Sequence, residues 1–334
     1  MAKNNFYKNK VILVTGGVGS IGSEIVISLL KYKPKSIRIF DNNETGLFDL
    51  DQKLQSKKIR LLVGDIRDSR RLKRAMEGVD IVFHAAALKH VSLCEHNPFE
   101  AAQTNVIGTQ NVIDACLEAG VAKMVNISTD KAVNSPNVMG ATKLLSERLV
   151  TATHYYKGKS KTVFSSVRFG NVLNSRGSVV PLFQQQIKNG GPVTVTNPDM
   201  VRFIMSIPRA VELVLKSAEI TKGGEIFILK MPVVRLGDFT EAMIEELAPR
   251  YGYNPKKIKI KIIGERNGEK FCEELITKNE SKNSFETEDM FTILPYRKNG
   301  GKKNHCCSEN FKTLNKEKIK NLLKEILGFS DKSL

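Results

Sequence analysis

Residues 11–15, Val-Ile-Leu-Val-Thr, form an unbroken apolar run that ends in glycines, which predicts a strand buried on both faces and then a turn. Residues 21–31 follow with Ile21, Ile25 and Leu29 on one helical face. Apolar runs recur at Ile37–Phe40, closed by Asp41; at Arg60–Val63, closed by Gly64-Asp65; at Val79–His84; and at Lys123–Ile127. Helical periodicity over 69–77 and 98–119 separates the later ones. Strands alternating with helices imply right-handed crossovers and a parallel sheet covered on both faces, a Rossmann-type doubly wound α/β fold. Beyond about residue 170 the rhythm changes. Loops such as Gly190-Gly191-Pro192 and Asn197-Pro198 separate shorter elements, with helices expected at 207–220 and 315–327 and a Lys-rich strand at Lys256–Ile263. The reading is a first domain over 1–170, to which some later segments return, and a smaller C-terminal lobe over 171–334.

Composition narrows the partner. The 334 residues carry 52 Lys and Arg against 35 Asp and Glu, a net charge of +17. The surplus is spread evenly, +9 over residues 1–161 and +8 over the rest, with a local excess at 297–324. Trp is absent and aromatics are few, so a base-stacking platform has little to build on and nucleic acid is not expected. Met1 to Lys10 lacks an apolar core, and no run approaches the roughly 18 apolar residues of a membrane span. Five cysteines, an odd number, are scattered, with Cys306 and Cys307 adjacent behind His305. This predicts a cytoplasmic protein with reduced thiols and no structural metal.

Chemistry begins at Gly16-Gly17-Val18-Gly19-Ser20-Ile21-Gly22, between the first strand and the first helix. Small residues let the backbone approach a pyrophosphate, and a helix N-terminus offers it free N–H groups, so Gly16, Gly19, Ser20, Ile21 and Gly22 are expected to bind a dinucleotide. Asp41, 19 residues beyond Gly22, can accept both ribose hydroxyls of NAD; it would repel the 2′-phosphate of NADP by up to about 4 kcal/mol per charge pair. NAD is therefore favoured over NADP, unless Arg67 or Arg70 reaches in. Asp65 and Ile66 suit the adenine edge, and Ala85, Ala86 and Ala87 form a small-residue floor. A second constellation, Ser128-Thr129-Asp130-Lys131, follows the strand ending at Ile127; Met139 and Lys143 lie four residues apart on one helical face. A lysine there can hold the nicotinamide ribose.

The Thr15–Gly22 motif, the Ser/Thr at the sheet edge and Lys143 resemble the extended short-chain dehydrogenase/reductase family. More narrowly, residues 84–91, 128–132, 168–172, 175–181 and 268–270 resemble the UDP-N-acetylglucosamine 4,6-dehydratases of polysaccharide biosynthesis. The family's usual Tyr is Met139 here, as in some members of that group, and a thioether cannot take a proton. The resemblance implies a tightly bound, recycled NAD(P), a UDP-sugar substrate such as UDP-N-acetylglucosamine and a homo-oligomer. It implies oxidation at C4, loss of water across C5–C6 and reduction at C6, with C5 inverted. On that basis Asp130 is the acid for the departing 6-hydroxyl and Lys131 the base at C5. Thr129, directly or through Asp130 or water, takes the 4-hydroxyl proton. Lys89 and His90 are expected at the hexose, Asn171, Arg176, Arg202 and Arg266 around the diphosphate with Val180 nearby, and Glu269 on an arginine or the uridine ribose. A buried structural thiol is expected at Cys94. The competing readings are an NDP-sugar 4-epimerase of the same fold, disfavoured by Met139 and by Asp130-Lys131, and a non-catalytic dinucleotide- or RNA-binding protein.

Overall fold

The computed structural model of the chain describes residues 5–295 and 306–328; Arg297, Lys298, Lys302 and Lys303 of the basic stretch and His305 lie outside the described residues. Its first half alternates as β1 (Val11–Thr15), α1 (Ser20–Leu30), β2 (Ser36–Asp41), α2 (Glu44–Leu54), β3 (Ile59–Val63), α3 (Ser69–Met76), β4 (Ile81–His84), α4 (Val91–His96), α5 (Pro98–Ala102), α6 (Gly108–Glu118), β5 (Lys123–Ile127), α7 (Val138–Tyr156) and β6 (Val163–Arg168). The second half continues with β7 (Asn171–Val172), α8 (Val179–Lys188), β8 (Val193–Val195), β9 (Val201–Met205), α9 (Ile207–Ile220), β10 (Ile226–Leu229), β11 (Val233–Arg235), α10 (Leu236–Leu247), β12 (Ile260–Ile262), β13 (Glu274–Ile276), β14 (Ser284–Glu286), β15 (Met290–Ile293), β16 (Cys306–Cys307) and α11 (Lys316–Leu327).

The main sheet has the order β14-β15-β10-β6-β5-β4-β1-β2-β3. Strands β1 to β6 and β10 are mutually parallel, while β15 runs antiparallel to β10 and pairs with β14. The crossover direction reverses between β1 and β4, and open α/β sheets bind ligands at the strand ends of such a switch point. Every residue of β1 is buried, as a strand covered on both faces requires. One covering layer is α1 and α9, through Ile25, Leu29, Leu213 and Val214. The other is α3, α6 and α7, through Leu72, Met76, Val112, Cys116 and Val150. A third apolar cluster joins α8, α10 and α11 through Phe183, Ile187, Phe239, Met243, Leu247, Ile319 and Leu323.

Two expected elements differ. The single helix expected over 98–119 is α5 and α6 joined by a π-helical turn at Gln103–Ile107. Its extra residue rotates Asn105 inward, where the side chain accepts from the Leu88 N–H (2.8 Å) and donates to the Leu88 carbonyl (3.0 Å) and to Thr142. The Lys-rich strand expected at 256–263 is only β12, because Pro255 starts a 3-10 turn over Pro255–Lys257. Among the described residues no helix is long and apolar enough to cross a membrane.

An ion triad locks α7 to β6. Arg168, wholly buried, donates to both oxygens of the equally buried Glu147 (2.6 and 3.1 Å) and to Glu280. Burial works against the guanidinium, but the two carboxylates outweigh it and push its pKa up. Removing one partner strands a charge in the interior. Glu147→Ala should therefore lower the free energy of unfolding by about 3–5 kcal/mol in a urea titration; a loss below about 1 kcal/mol would mean the triad is not coupled to folding.

Candidate active site

A cavity of about 870 Å³ opens over the carboxyl ends of β1, β2, β4 and β5. The glycine loop forms one wall. Gly16 has φ +66°, and a Cβ there would lie 2.5 Å from the Ala86 nitrogen; one on Gly22 would lie 2.2 Å from the Gly16 carbonyl oxygen. Only glycine fits either place. No side chain caps α1, so its first turn presents N–H groups to the cavity. Asp41 lies at the end of β2, its carboxylate accepting the Val18 and Asn43 N–H groups at 3.1 and 3.0 Å. All the residues expected at the cofactor, Gly16, Gly19, Ser20, Ile21, Gly22, Asp41, Asp65, Ile66, Ala85, Ala86, Ala87 and Lys143, line this one cavity. Cradle, uncapped helix and acceptor carboxylate suit a dinucleotide. Arg67 also faces the cavity, but its guanidinium is held by Asp65 (2.7 Å) and Glu100 (2.8 Å).

The opposite wall carries Thr129, Lys131, Met139 and Lys143. Helix α7 is capped twice, by the Asn137 side chain on the Gly140 N–H and by Glu95 on the Val138 N–H, which fixes Met139 and Lys143 in its first turns. Lys143 donates to the Ile127 carbonyl at 2.7 Å, and burial pulls its pKa down to about 8, with Glu147 opposing only in part. Thr129 donates to Asp130 Oδ1 at 2.9 Å. Lys131 Nζ reaches Asp130 Oδ1 at 3.1 Å, the Asn171 side-chain oxygen at 3.1 Å and Glu273 Oε1 at 3.2 Å. Burial alone would depress the Lys131 amine, but the Asp130 and Glu273 carboxylates outweigh it and its pKa is pushed up to about 12. Lys131 thus rests as a cation. Glu273, itself buried, is held above the usual carboxylate range by desolvation, against the pull of Lys131.

Lys89 donates to the Arg176 carbonyl at 2.6 Å, and the Arg176 guanidinium reaches back to the Val18 carbonyl in the glycine loop. Burial, then the Arg176 charge, lowers the Lys89 amine; burial, then Lys89, lowers the His90 imidazole. Lys89 and Arg176 thus bring two positive charges together on the cavity lining.

Other expected residues stand elsewhere. Asp130 is wholly enclosed behind Thr129 and does not line the cavity, so it reaches reacting atoms only through its neighbours. Val180 is core, packed in the α8 cluster. Arg202 is buried against the Lys270 and Phe271 carbonyls, Glu269 lies 3.6 Å from it, and Arg266 sits on the same segment; none of the three lines the cavity. Cys94 is buried beside Met139. Sequence reasoning missed Glu273 and Asn105, whose partners Lys131 and Leu88 are distant in the chain and carry no local signal. It also left His84 without a role. His84 is enclosed between Thr15 (2.7 Å) and Thr109 (3.1 Å), and burial, then Lys143, takes its pKa down to about 3, so it stays neutral.

The family described as polysaccharide biosynthesis protein matches residues 12–295. The chain belongs to that family. It is an extended short-chain dehydrogenase/reductase of the polysaccharide biosynthesis group. A Methanocaldococcus jannaschii relative, named as an uncharacterized membrane protein, is 64% identical over 97% of this chain and 98% of its own length. The inverting UDP-N-acetylglucosamine 4,6-dehydratase of Campylobacter jejuni is 43% identical over 86% of this chain and 84% of its own. A UDP-glucose 4-epimerase of Rickettsia canadensis is 38% identical over 95% and 96%. Among solved structures, Pen from Bacillus thuringiensis superposes with a TM-score of 0.92 at 48% identity, covering 96% of this chain and 98% of that one. The fold of that structure is thus reproduced over nearly the whole chain.

Lys143 supplies a test by linkage. Its folded pKa lies below its unfolded value of 10.5, so between pH 8 and 10.5 the unfolded chain binds more protons and stability rises with pH. Below pH 8 the full cost of burying the cation is present. The stability of Lys143→Met relative to the native chain should be constant up to about pH 8. It should then fall by about 1.4 kcal/mol per pH unit, read by urea unfolding of both proteins. A difference independent of pH would show that the amine is not titrating in the interior.

Proposed function

We propose that the chain is a UDP-N-acetylglucosamine 4,6-dehydratase that inverts C5. The observation that carries this reading is the set of proton carriers along one cavity wall. A thioether stands at Met139, while Thr129, Asp130 and Lys131 form a continuous hydrogen-bonded chain. A 4-epimerase needs one acceptor, for the 4-hydroxyl proton. A dehydratase also needs a group that takes the C5 proton and a proton for the 6-hydroxyl as it leaves. The Lys131 amine is surplus to the first task and matched to the second. The name of the Campylobacter relative supports the same reading.

Bound NAD would supply removal of hydride from C4 and its return at C6. The cradle of Gly16, Gly19 and Gly22 with the first turn of α1 would hold its pyrophosphate, and Asp41 would accept its adenosine ribose hydroxyls. Arg67, already neutralised by Asp65 and Glu100, leaves Asp41 to favour NAD over NADP. Lys143 holds the nicotinamide ribose and Ala85–Ala87 form the floor. Lys89 and Arg176 take the substrate's diphosphate, with His90 beside the hexose.

The proton steps follow from the hydrogen bonds. Thr129 takes the 4-hydroxyl proton as it passes its own to Asp130 Oδ1. The 4-keto group then acidifies C5–H. Lys131 in its amine form takes that proton and delivers it to the departing 6-hydroxyl, which leaves as water. As C6 is reduced, a solvent proton enters C5 from the face opposite Lys131, which inverts it, and Asp130 releases the 4-hydroxyl proton to solvent. Because the resting ammonium must first discharge, the reactive form grows about tenfold per pH unit through neutrality. Asp130 acts through Thr129 and Lys131 and not on the 6-hydroxyl directly.

The Rickettsia relatives favour a second reading, 4-epimerisation of a UDP-hexose. Incubation with UDP-N-acetylglucosamine and, separately, UDP-glucose, followed by proton NMR, separates the two. The proposal expects a 4-keto-6-deoxy product from UDP-N-acetylglucosamine. A galacto-configured product from either sugar, without the 6-deoxy methyl signal, would replace it by the epimerase reading.

A further inference from the structure

Cysteines that are far apart in the sequence meet in the fold. Cys272 precedes Glu273, and Cys307 lies on β16, which pairs antiparallel with β13. Their sulfurs are 3.6 Å apart, and a Glu309 carboxylate oxygen joins them, all three donor atoms lying within 4.8 Å of one another. A disulfide would hold the sulfurs at about 2.05 Å. Two thiolates bound about 2.3 Å from one tetrahedral ion stand roughly 3.8 Å apart, close to what is found here. The third donor distinguishes the cases further: a carboxylate has no part in a disulfide and completes an S₂O ligand set.

We infer that Cys272, Cys307 and Glu309 form a binding site for a borderline-soft divalent cation of the zinc class, with water in the fourth position. Sequence spacing hides this site, because the ligands come from segments 35 residues apart and no paired Cys-x-x-Cys marks them. The frame that holds them is already built. Ser308 donates its N–H to the Glu273 carbonyl (2.8 Å), and the Glu273 N–H donates back to the Ser308 hydroxyl (3.0 Å). Cys272 itself bridges to Val201 of β9. None of the three ligands lines the active-site cavity, so the ion is structural. It cross-links two strands next to Glu273, whose carboxylate holds Lys131 at 3.2 Å. The ion is thereby a clamp on the residue that positions the reactive lysine.

The inference stands apart from the dehydratase reading, since a metal titration reads it whether or not any sugar is turned over. The full chain is stripped with chelator under a phosphine reductant, checked for retained fold by circular dichroism, and titrated with Co²⁺. One cobalt per chain should bind with a near-ultraviolet thiolate-to-cobalt band that Zn²⁺ abolishes. The band should vanish in Cys272→Ser and in Cys307→Ser, and Glu309→Gln should weaken binding by about tenfold or more. Zn²⁺ should raise the melting temperature of the stripped native chain and leave that of Cys307→Ser unchanged. Absence of the band, or its persistence in both Ser variants, would overturn the site. So would a Cys272–Cys307 disulfide forming on removal of reductant in a chain with no cobalt affinity.

Discussion

A partly buried ammonium needs anions around it, and the placement of Lys131 follows from that need. Its three partners arrive from separate parts of the chain: Asp130 just beyond β5, Asn171 at the start of β7, and Glu273 from the strand region of the second half. Each carboxylate would be costly to bury alone; each is tolerated because the cation is there. The segment that carries Glu273 is also tied to the loop after β5, through Asn137 to the Gly268 carbonyl at 2.8 Å and Lys270 to the Val133 carbonyl. The wall that carries Lys131 is therefore complete only with the second half of the chain packed against it.

The same cavity treats its two lysines in opposite ways. Lys131 has two carboxylates within reach and is pushed up to about 12, whereas Lys143 has a carbonyl and one more distant carboxylate and falls to about 8. Pairs of titratable groups driven apart by their surroundings mark separate tasks. In the proposed reaction the amine nearer neutrality serves the cofactor and the firmly held cation serves the sugar. Met139 carries no proton, and the proposed route for proton movement is the hydrogen-bonded chain Thr129–Asp130–Lys131.

Much of this was legible in the sequence where the signal is local. Unbroken apolar runs marked β1 and β4, the glycine spacing marked the cradle, and the apolar run Ile37–Phe40 closed by Asp41 marked β2 and its end. The limits appear where position depends on long-range packing. The strand β10 lies far along the chain yet pairs with β6, and the hairpin β14–β15 extends the same sheet. The Arg202 and Arg266 side chains are ordinary basic residues in the sequence, and only folding turns Arg202 onto backbone carbonyls away from the cavity. Glu273 and the Cys272–Cys307 contact were invisible for the same reason. The π-helical turn at 103–107 escaped because its apolar spacing differs from an α-helix by one residue.

In the proposed reaction Lys131 is the group that takes the C5 proton. The direct measurement is a single turnover of the Lys131→Met variant with UDP-N-acetylglucosamine in D₂O, following reduced nicotinamide by absorbance and deuterium at C5 by NMR. Reduced nicotinamide should still form, through Thr129 and Asp130, while deuterium incorporation at C5 falls by about 10²-fold or more. Deuterium appearing at C5 at the native rate would contradict that role of Lys131.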